Sequence, residues 1–310
     1  MRAATILVVL ITVVVACDRQ VQPQSISTSR PQLNTIPDPQ PDNRLYERNI
    51  VFMTTGTDSL ILVPWLFRAS TLEKGVERTA EGWLARAGLW ELFFTDRWDS
   101  PPTRTPFRVH PRDPMNLVIG PGDLLERIVF EEGTRQLEVI LGEGMSDWSG
   151  SHGETFRVHR GTALFGNLRV EGMVMDMNRV QLKDSPRPGE WMFLTGPERL
   201  AIVIESTGVS PNHTAWGRRG DEEFRWPEVN LEWTSLRFSE EAHQDIPVGW
   251  RIRSTHGGLQ ITLRSIGMDL QVGESEGPLF PVNGLFQVAG LLVISGDTLD
   301  VRGLVRYVQH

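Results

Sequence analysis

The sequence contains one cysteine in 310 residues, so no disulfide can form within the chain and no thiol enzyme is indicated. Lysine and arginine number 31 against 39 aspartates and glutamates, and this net charge of −8 argues against the basic surface of a nucleic-acid-binding protein. Esterase, zinc-protease, phosphate-loop and dinucleotide fingerprints are all missing from the sequence. Its histidines show no ligand spacing, so neither a metal site nor a cofactor is predicted.

The first 17 residues have the pattern of an export signal. Arg2 precedes an apolar run at residues 6–15, which is half the length of about 20 residues that a spanning helix needs. The run ends in Val-Val-Ala before Cys17, and this ending resembles the bacterial lipobox. We therefore expect a signal peptide at residues 1–16 and a lipid-anchored protein of the bacterial cell envelope, held through acyl chains on Cys17. An ordinary secretory signal with an incidental cysteine is the alternative, and the choice between inner and outer membrane stays open.

The segment 17–44 is predicted to be a disordered tether. It is rich in Gln, Ser, Asn, Thr and Asp, contains five prolines and shows no apolar periodicity. Such a composition cannot bury enough apolar surface to offset the entropy lost on folding. The folded body is expected to begin at Leu45.

Residues 247–266 carry the clearest hairpin pattern. Apolar side chains alternate with polar ones on both sides of a turn that contains Gly257 and Gly258. Short strands with this alternation recur from Leu45 onward, separated by glycine-containing turns, and almost no helical period is present. The one weakly helical stretch in the first half of the folded body is residues 84–88. We predict an all-β, antiparallel fold in two domains, at residues 45–207 and 208–310.

Three segments resemble the carotenoid 1,2-hydratase (hydroxyneurosporene synthase) and AttH-like family. They read Leu231-Glu232-Trp233-Thr234-Ser235, Ile246-Pro247-Val248-Gly249-Trp250-Arg251-Ile252 and Leu259-Gln260-Ile261-Thr262-Leu263. Ile246 stands where the family has tyrosine. The resemblance covers about residues 160–310 and implies two tandem lipocalin-like barrels.

The same resemblance implies a hydratase that acts on an apolar polyene, with Asp176 as the candidate catalytic residue. Family members have Asp-His-x-Trp-Gly at this place, whereas this chain has Met177, Arg179 and Val180 in the last positions. Hydration of an unactivated alkene requires a protonated carboxylic acid in a dry pocket. A nearby Arg179 would favour the ionised form of Asp176, so the departure weighs against catalysis.

Ten tryptophans are the feature of the composition that points to binding. Tryptophan suits both the lining of a ligand cavity and ordinary packing, and methionine fits an apolar ligand or a soft core equally well. The candidate ligand-binding residues are Trp191, Trp233, Trp250, Met175 and Met192.

Three functions follow as hypotheses. The first is non-catalytic binding of a small apolar molecule or lipid at the envelope. The second is an enzyme of the hydratase or isomerase type that uses Asp176. The third is an accessory subunit of an envelope transporter, because AttH-like proteins are often associated with membrane permeases.

Overall fold

A computed structural model gives the structure of the protein and describes residues 43–55, 60–101, 111, 113–150, 153–183, 190–206, 212–274 and 280–309. The predicted signal peptide, Cys17 and the tether up to residue 42 lie outside this part of the chain. The described residues belong to one compact unit, Thr35–His310. They form antiparallel strands and one 3-10 turn at Pro121–Asp123, so the all-β prediction is confirmed.

Nine strands make the first sheet. Their bounds are β1 Arg44–Thr54, β2 Ile61–Leu72, β3 Gly75–Arg86, β4 Leu89–Ser100, β5 Met115–Ile119, β6 Leu125–Glu132, β7 Arg135–Ser149, β8 Thr155–Phe165 and β9 Leu168–Leu182. They are hydrogen-bonded in the order β4-β3-β2-β1-β9-β8-β7-β6-β5. The sheet curls so that its two ends approach each other. Phe130 on β6, the strand next to the edge strand β5, packs against Phe93 and Phe94 on the other edge strand, β4, with ring centroids 4.9 and 6.3 Å apart.

Eight strands make a closed second barrel. Their bounds are β10 Glu190–Gly196, β11 Leu200–Ser206, β12 Asn212–Arg219, β13 Glu222–Ser239, β14 Gln244–Ser254, β15 Leu259–Val272, β16 Val282–Ile294 and β17 Asp297–Gln309. Each pairs with the next, and β17 pairs with β10 to close the barrel. A closed sheet has no free edge on which another strand could add. Two barrel-like sheets in tandem are therefore present, as predicted.

The predicted hairpin corresponds to β14 and β15. Trp250 and Ile252 on β14 face the barrel interior together with their partners Leu263 and Ile261 on β15. The turn is made where Gly257 and Gly258 adopt φ values of +81° and +79°, which glycine tolerates without steric cost.

Residues 84–88 are not helical. Leu84 to Arg86 complete β3, and Ala87 and Gly88 form the turn to β4 with φ values of 53° and 81°. The preceding residues alternate between buried and half-buried positions of a sheet, so tertiary pairing outweighs the local helix propensity of Leu and Ala.

Sheet membership changes between Leu182 and Glu190. The sequence placed the domain junction after residue 207, whereas β10 and β11 pair within the second barrel. Two of the strands assigned by sequence to the first domain thus belong to the second sheet. Whether residues 45–207 and 208–310 fold as independent domains stays a prediction.

Apolar side chains form three cores, one inside each sheet and one between them. On β1, for example, Ile50 and Phe52 enter the first sheet, whereas Val51 and Met53 face the second. This third group, the intersheet core, also contains Trp191 and Phe193 from the outer face of the barrel. Alternate side chains along such a strand therefore face two different cores, rather than one core and the solvent.

Candidate functional site

Glu190 is the first residue of β10 and lies on the interior face of the second barrel. Met192 and Leu194 follow it at alternate positions and belong to the barrel core, so the strand geometry directs the Glu190 carboxyl inward as well. Only 6% of the residue is exposed.

Two indole groups donate hydrogen bonds to the Glu190 carboxyl. Trp250 Nε1 lies 3.2 Å from Oε1, and Trp233 Nε1 lies 3.3 Å from both Oε1 and Oε2. Trp233 on β13 and Trp250 on β14 are directly opposed partners across an antiparallel ladder, which places both rings on the same face. The register of this hairpin therefore builds the pair of donors.

Tyr307 completes the site from β17, where it is the ladder partner of Glu190. Its ring packs edge-on against Trp233, with centroids 5.8 Å apart, and against Phe286 at 6.5 Å. The Tyr307 hydroxyl donates to Gln309 Oε1. Burial, followed by the nearby charge of Glu190, raises the pKa of Tyr307, so the phenol stays protonated. We call Glu190, Trp233, Trp250, Phe286 and Tyr307 the barrel mouth.

The electrostatics of the barrel mouth favour a neutral carboxylic acid. Burial raises the pKa of Glu190 to about 7, and the hydrogen bonds from Trp250 and Trp233 only partly oppose this rise. Among the described residues, no charged side chain adds to these influences on the pKa of Glu190. A carboxyl that titrates near neutral pH among aromatic rings can donate or accept a proton, and such perturbed groups concentrate at functional sites.

At the barrel mouth, Trp233 is 45% exposed, whereas Trp250 is fully buried. Beyond Trp233, β13 continues with the exposed apolar side chains Leu236 and Phe238. The site thus combines exposed apolar side chains on β13 with a buried polar group, and small-molecule sites usually combine a mainly apolar lining with a few polar groups.

Asp176 lies elsewhere, inside the first sheet. It forms a bidentate ion pair with Arg48, with Arg48 Nε 2.8 Å from Oδ1 and Arg48 Nη2 2.6 Å from Oδ2. Asn178 Nδ2 approaches Oδ1 at 3.4 Å. The guanidinium fork thus occupies both oxygens of Asp176, which makes this carboxyl poorly placed to act on an alkene. The sequence named Arg179 as the arginine near Asp176, but the ion-pair partner of Asp176 is Arg48, and Arg179 points to the opposite face of β9.

Arg179 instead joins a group of buried charges between the two sheets. It contacts Glu205 from the second barrel, and it lies 3.6 Å from Glu47 Oε2 and 3.8 Å from Glu154 Oε1. Burial lowers the pKa of Arg179 and the surrounding carboxylates oppose that change. These ion pairs connect the sheets alongside the hydrogen bond from Gln287 Nε2 to Leu60 O.

The candidate binding residues fall into two groups. Trp233 and Trp250 meet at Glu190, and Met192 lies deeper in the same barrel. Trp191 and Met175 lie in the intersheet core, away from the barrel mouth. Sequence reasoning missed Glu190 and Tyr307. The signal for Glu190 was present, because strand alternation gives it the same face as Met192 and Leu194.

The part of the chain that the structure describes contains no group of three His, Cys, Asp or Glu side chains that could hold a metal ion. Within the same residues, no helix has both the length and the apolar character to cross a membrane.

The architecture is similar to that of several solved structures. An AttH-like protein from Nitrosomonas europaea superposes with a TM-score of 0.58 at 12% sequence identity, over 86% of this chain and 93% of the other. The chain has the AttH-like two-barrel fold. Kievitone hydratase from Nectria haematococca has a TM-score of 0.49 at 14% identity, over 87% and 90% of the two chains. CghA bound to Sch210972 has a TM-score of 0.45 at 13% identity, over 86% and 88%. The sequence matches no protein-family model and no curated protein.

Proposed function

We propose that this protein binds a small apolar molecule that carries an oxygen acceptor, such as a ketone, at the barrel mouth. The observation that carries the proposal is the buried carboxyl of Glu190. It accepts hydrogen bonds from the indole N–H groups of Trp250, which is buried, and Trp233, which is 45% exposed. The indole N–H groups of Trp233 and Trp250 already donate hydrogen bonds to the oxygens of this carboxyl. When Glu190 is protonated, its O–H group is left to donate to an oxygen of the ligand.

The remaining surface of the site suits an apolar body. Trp233, Trp250, Phe286 and Tyr307 contact one another edge to face, and the partly buried Met268 and Leu270 pack against the same core. Aromatic rings supply large apolar contact area at small conformational cost. This composition supports a hydrocarbon ligand with a single polar group rather than a sugar or a nucleotide.

Binding of 2-dodecanone is expected to weaken about tenfold between pH 6 and pH 8, because only the protonated form of a group with a pKa of about 7 donates to the ketone. Tryptophan fluorescence titration at a series of pH values measures this change. Glu190→Gln keeps a donor and an acceptor but cannot ionise, so its affinity should not vary with pH.

The matched control for this titration is Glu232→Gln, which alters an exposed carboxylate beside Trp233 that pairs with Arg251. It should keep the pH dependence of the natural protein. The proposal fails if Glu190→Gln retains that dependence or if 2-dodecanone binds neither protein.

A second candidate is acid catalysis of the hydratase type, and one observation favours it. Glu190 is a buried acid with a pKa of about 7, as protonation of an alkene demands, whereas Asp176 is held in an ion pair. If so, incubation with a polyene in D₂O should yield a deuterated alcohol, Glu190→Gln should abolish product, and the surface variant Glu232→Gln should not. Binding without deuterium incorporation would leave the non-catalytic function alone.

We further propose that the chain is a lipoprotein of the bacterial cell envelope, anchored at Cys17 and separated from its membrane by the segment 17–44. This localisation fits a binding protein for molecules that partition into lipid, and it would allow contact with a permease, as the third hypothesis requires. Cys17→Ser should eliminate incorporation of radiolabelled palmitate in the native host. Label that persists in this variant would contradict the anchor.

A further inference from the structure

The ladder between β14 and β15 covers only part of the height of the second barrel. It consists of five residue pairs, fewer than any other ladder of this barrel, and it ends at Gly249 and Arg264. Beyond that level the two strands, which the structure describes completely, have no backbone pairing with each other. Residues 244–247 of β14 pair with β13 alone, and residues 265–272 of β15 pair with β16 alone. We call this part of the wall the β14–β15 gap.

Irregular pairing on both sides of the β14–β15 gap explains why the two strands separate. The β13–β14 ladder shifts its register around Ser235, and the β15–β16 ladder shifts between Ser265 and Gly267, at the level where pairing of β14 with β15 ends. A bulge bends its strand and often ends pairing. The bent part of β15 is also held beside the first sheet, because Gly88 N donates a 2.7 Å hydrogen bond to Oε1 of Gln287, the ladder partner of Gly267.

The interior face of β15 becomes accessible along the β14–β15 gap. Ile261 and Leu263, which lie beside the intact ladder, are buried in the barrel core. Met268, Leu270 and Val272 pack against the same core, so they share the interior face, but each is only half-buried. The missing neighbour strand accounts for this difference. We call these three side chains the gap row.

The gap row leads from the rim to the barrel mouth. Met268 is the ladder partner of Phe286, whose ring centroid lies 5.4 Å from that of Trp250. Trp250 in turn donates its hydrogen bond to Glu190. A strand rises about 3.3 Å per residue, so the row is about 13 Å long from Met268 to Val272. Apolar side chains therefore continue from the buried carboxyl to the half-buried end of β15.

We infer that the hydrocarbon chain of the ligand lies in the β14–β15 gap along the gap row, with its oxygen at Glu190. This inference rests on the function proposed for the barrel mouth and adds the class of ligand, a long unbranched chain. The row is one side chain wide, because only every second residue of a strand faces inward, so it matches an extended chain better than a fused ring system. Methionine at its inner end adapts readily to such a chain.

The position of the chain is tested with 2-dodecanone that carries a diazirine at the end of its hydrocarbon chain. After irradiation of the full-length protein, mass spectrometry of its peptides should find label on residues 265–272, and excess unmodified 2-dodecanone should prevent this labelling. Competed label on Leu236 or Phe238 of β13, or elsewhere outside the gap, would overturn the inference but leave the barrel mouth as a binding site. If no peptide carries competed label, both this inference and the proposed function fail.

A second test measures the preference for chain length by isothermal titration calorimetry. Met268→Trp should reduce the preference for 2-dodecanone over 2-octanone at least tenfold, because each methylene kept from apolar contact lowers affinity about fourfold. Val272→Trp should act in the same direction, and it provides the test if Met268→Trp does not fold. The control Leu291→Trp places the same side chain at a half-exposed position of β16 and should keep the preference of the natural protein. An unchanged preference in a folded Met268→Trp or Val272→Trp protein overturns the inference.

Discussion

Replacement of Asp176 by asparagine is expected to lower the free energy of unfolding by about 3–5 kcal/mol. Arg48 and Asp176 are 6% and 1% exposed, and both guanidinium-carboxylate contacts are short. Removal of the negative charge takes away the charge that both short contacts of Arg48 depend on, and a buried charge that loses such compensation is costly in a protein interior. Urea denaturation followed by far-ultraviolet circular dichroism measures the loss.

Two comparison variants distinguish this structural role from a catalytic one. Asp147→Asn disrupts an exposed pair with Arg157 at 3.5 Å, and it should cost less than about 1 kcal/mol. The double variant Arg48→Met and Asp176→Leu removes both charges and should recover most of the stability. If Asp176→Asn is as stable as the natural protein, the carboxyl is not held as a buried ion and the hydratase assignment to Asp176 regains support.

Glu190→Gln is expected to have the opposite effect, raising the free energy of unfolding by about 3 kcal/mol at pH 8. The folded-state pKa of Glu190, about 7, lies above the ordinary value of 4.5, so the folded protein holds this proton more tightly than the unfolded chain. Stability therefore falls as pH rises from about 4.5 to about 7, and above that the barrel has to accommodate an ionised carboxylate. Glutamine keeps the acceptor for Trp233 and Trp250 and removes the charge.

The pH dependence separates this effect from simple repacking. Most of the gain should disappear at pH 5, where the carboxyl of the natural protein is protonated in the folded state. Chemical denaturation at pH 5 and pH 8 provides the comparison, with Glu232→Gln as the exposed control. A glutamine variant that is destabilised at pH 8 would show that the ionised Glu190 is well compensated in the barrel.

Strand alternation predicted the parts of the fold that depend on local sequence. The hairpin of β14 and β15 has its turn and faces as expected, because each neighbour is a few residues away and glycine marks the turn. Which sheet a strand joins is decided by pairing partners far along the chain, as when β10 pairs with β17, and no local pattern encodes this choice.

The site was harder to predict for the same reason. Trp233 and Trp250 were identified as candidates from composition and strand position, but their shared partner Glu190 lies 43 and 60 residues away in sequence. Arg48 and Asp176 are separated by 128 residues, so the nearer Arg179 was the arginine that the sequence suggested. On β9, residues 176 and 179 point to opposite faces because their separation is odd.

The central claim is that the barrel mouth holds a titrating carboxyl for a ligand, and carbon-13 NMR of glutamate labelled at the side-chain carboxyl tests it most directly. The Glu190 resonance, assigned by its loss in Glu190→Gln, should titrate with a midpoint near pH 7 and move to a higher midpoint when 2-dodecanone is added. A midpoint near 4.5 that does not respond to the ketone would contradict the claim.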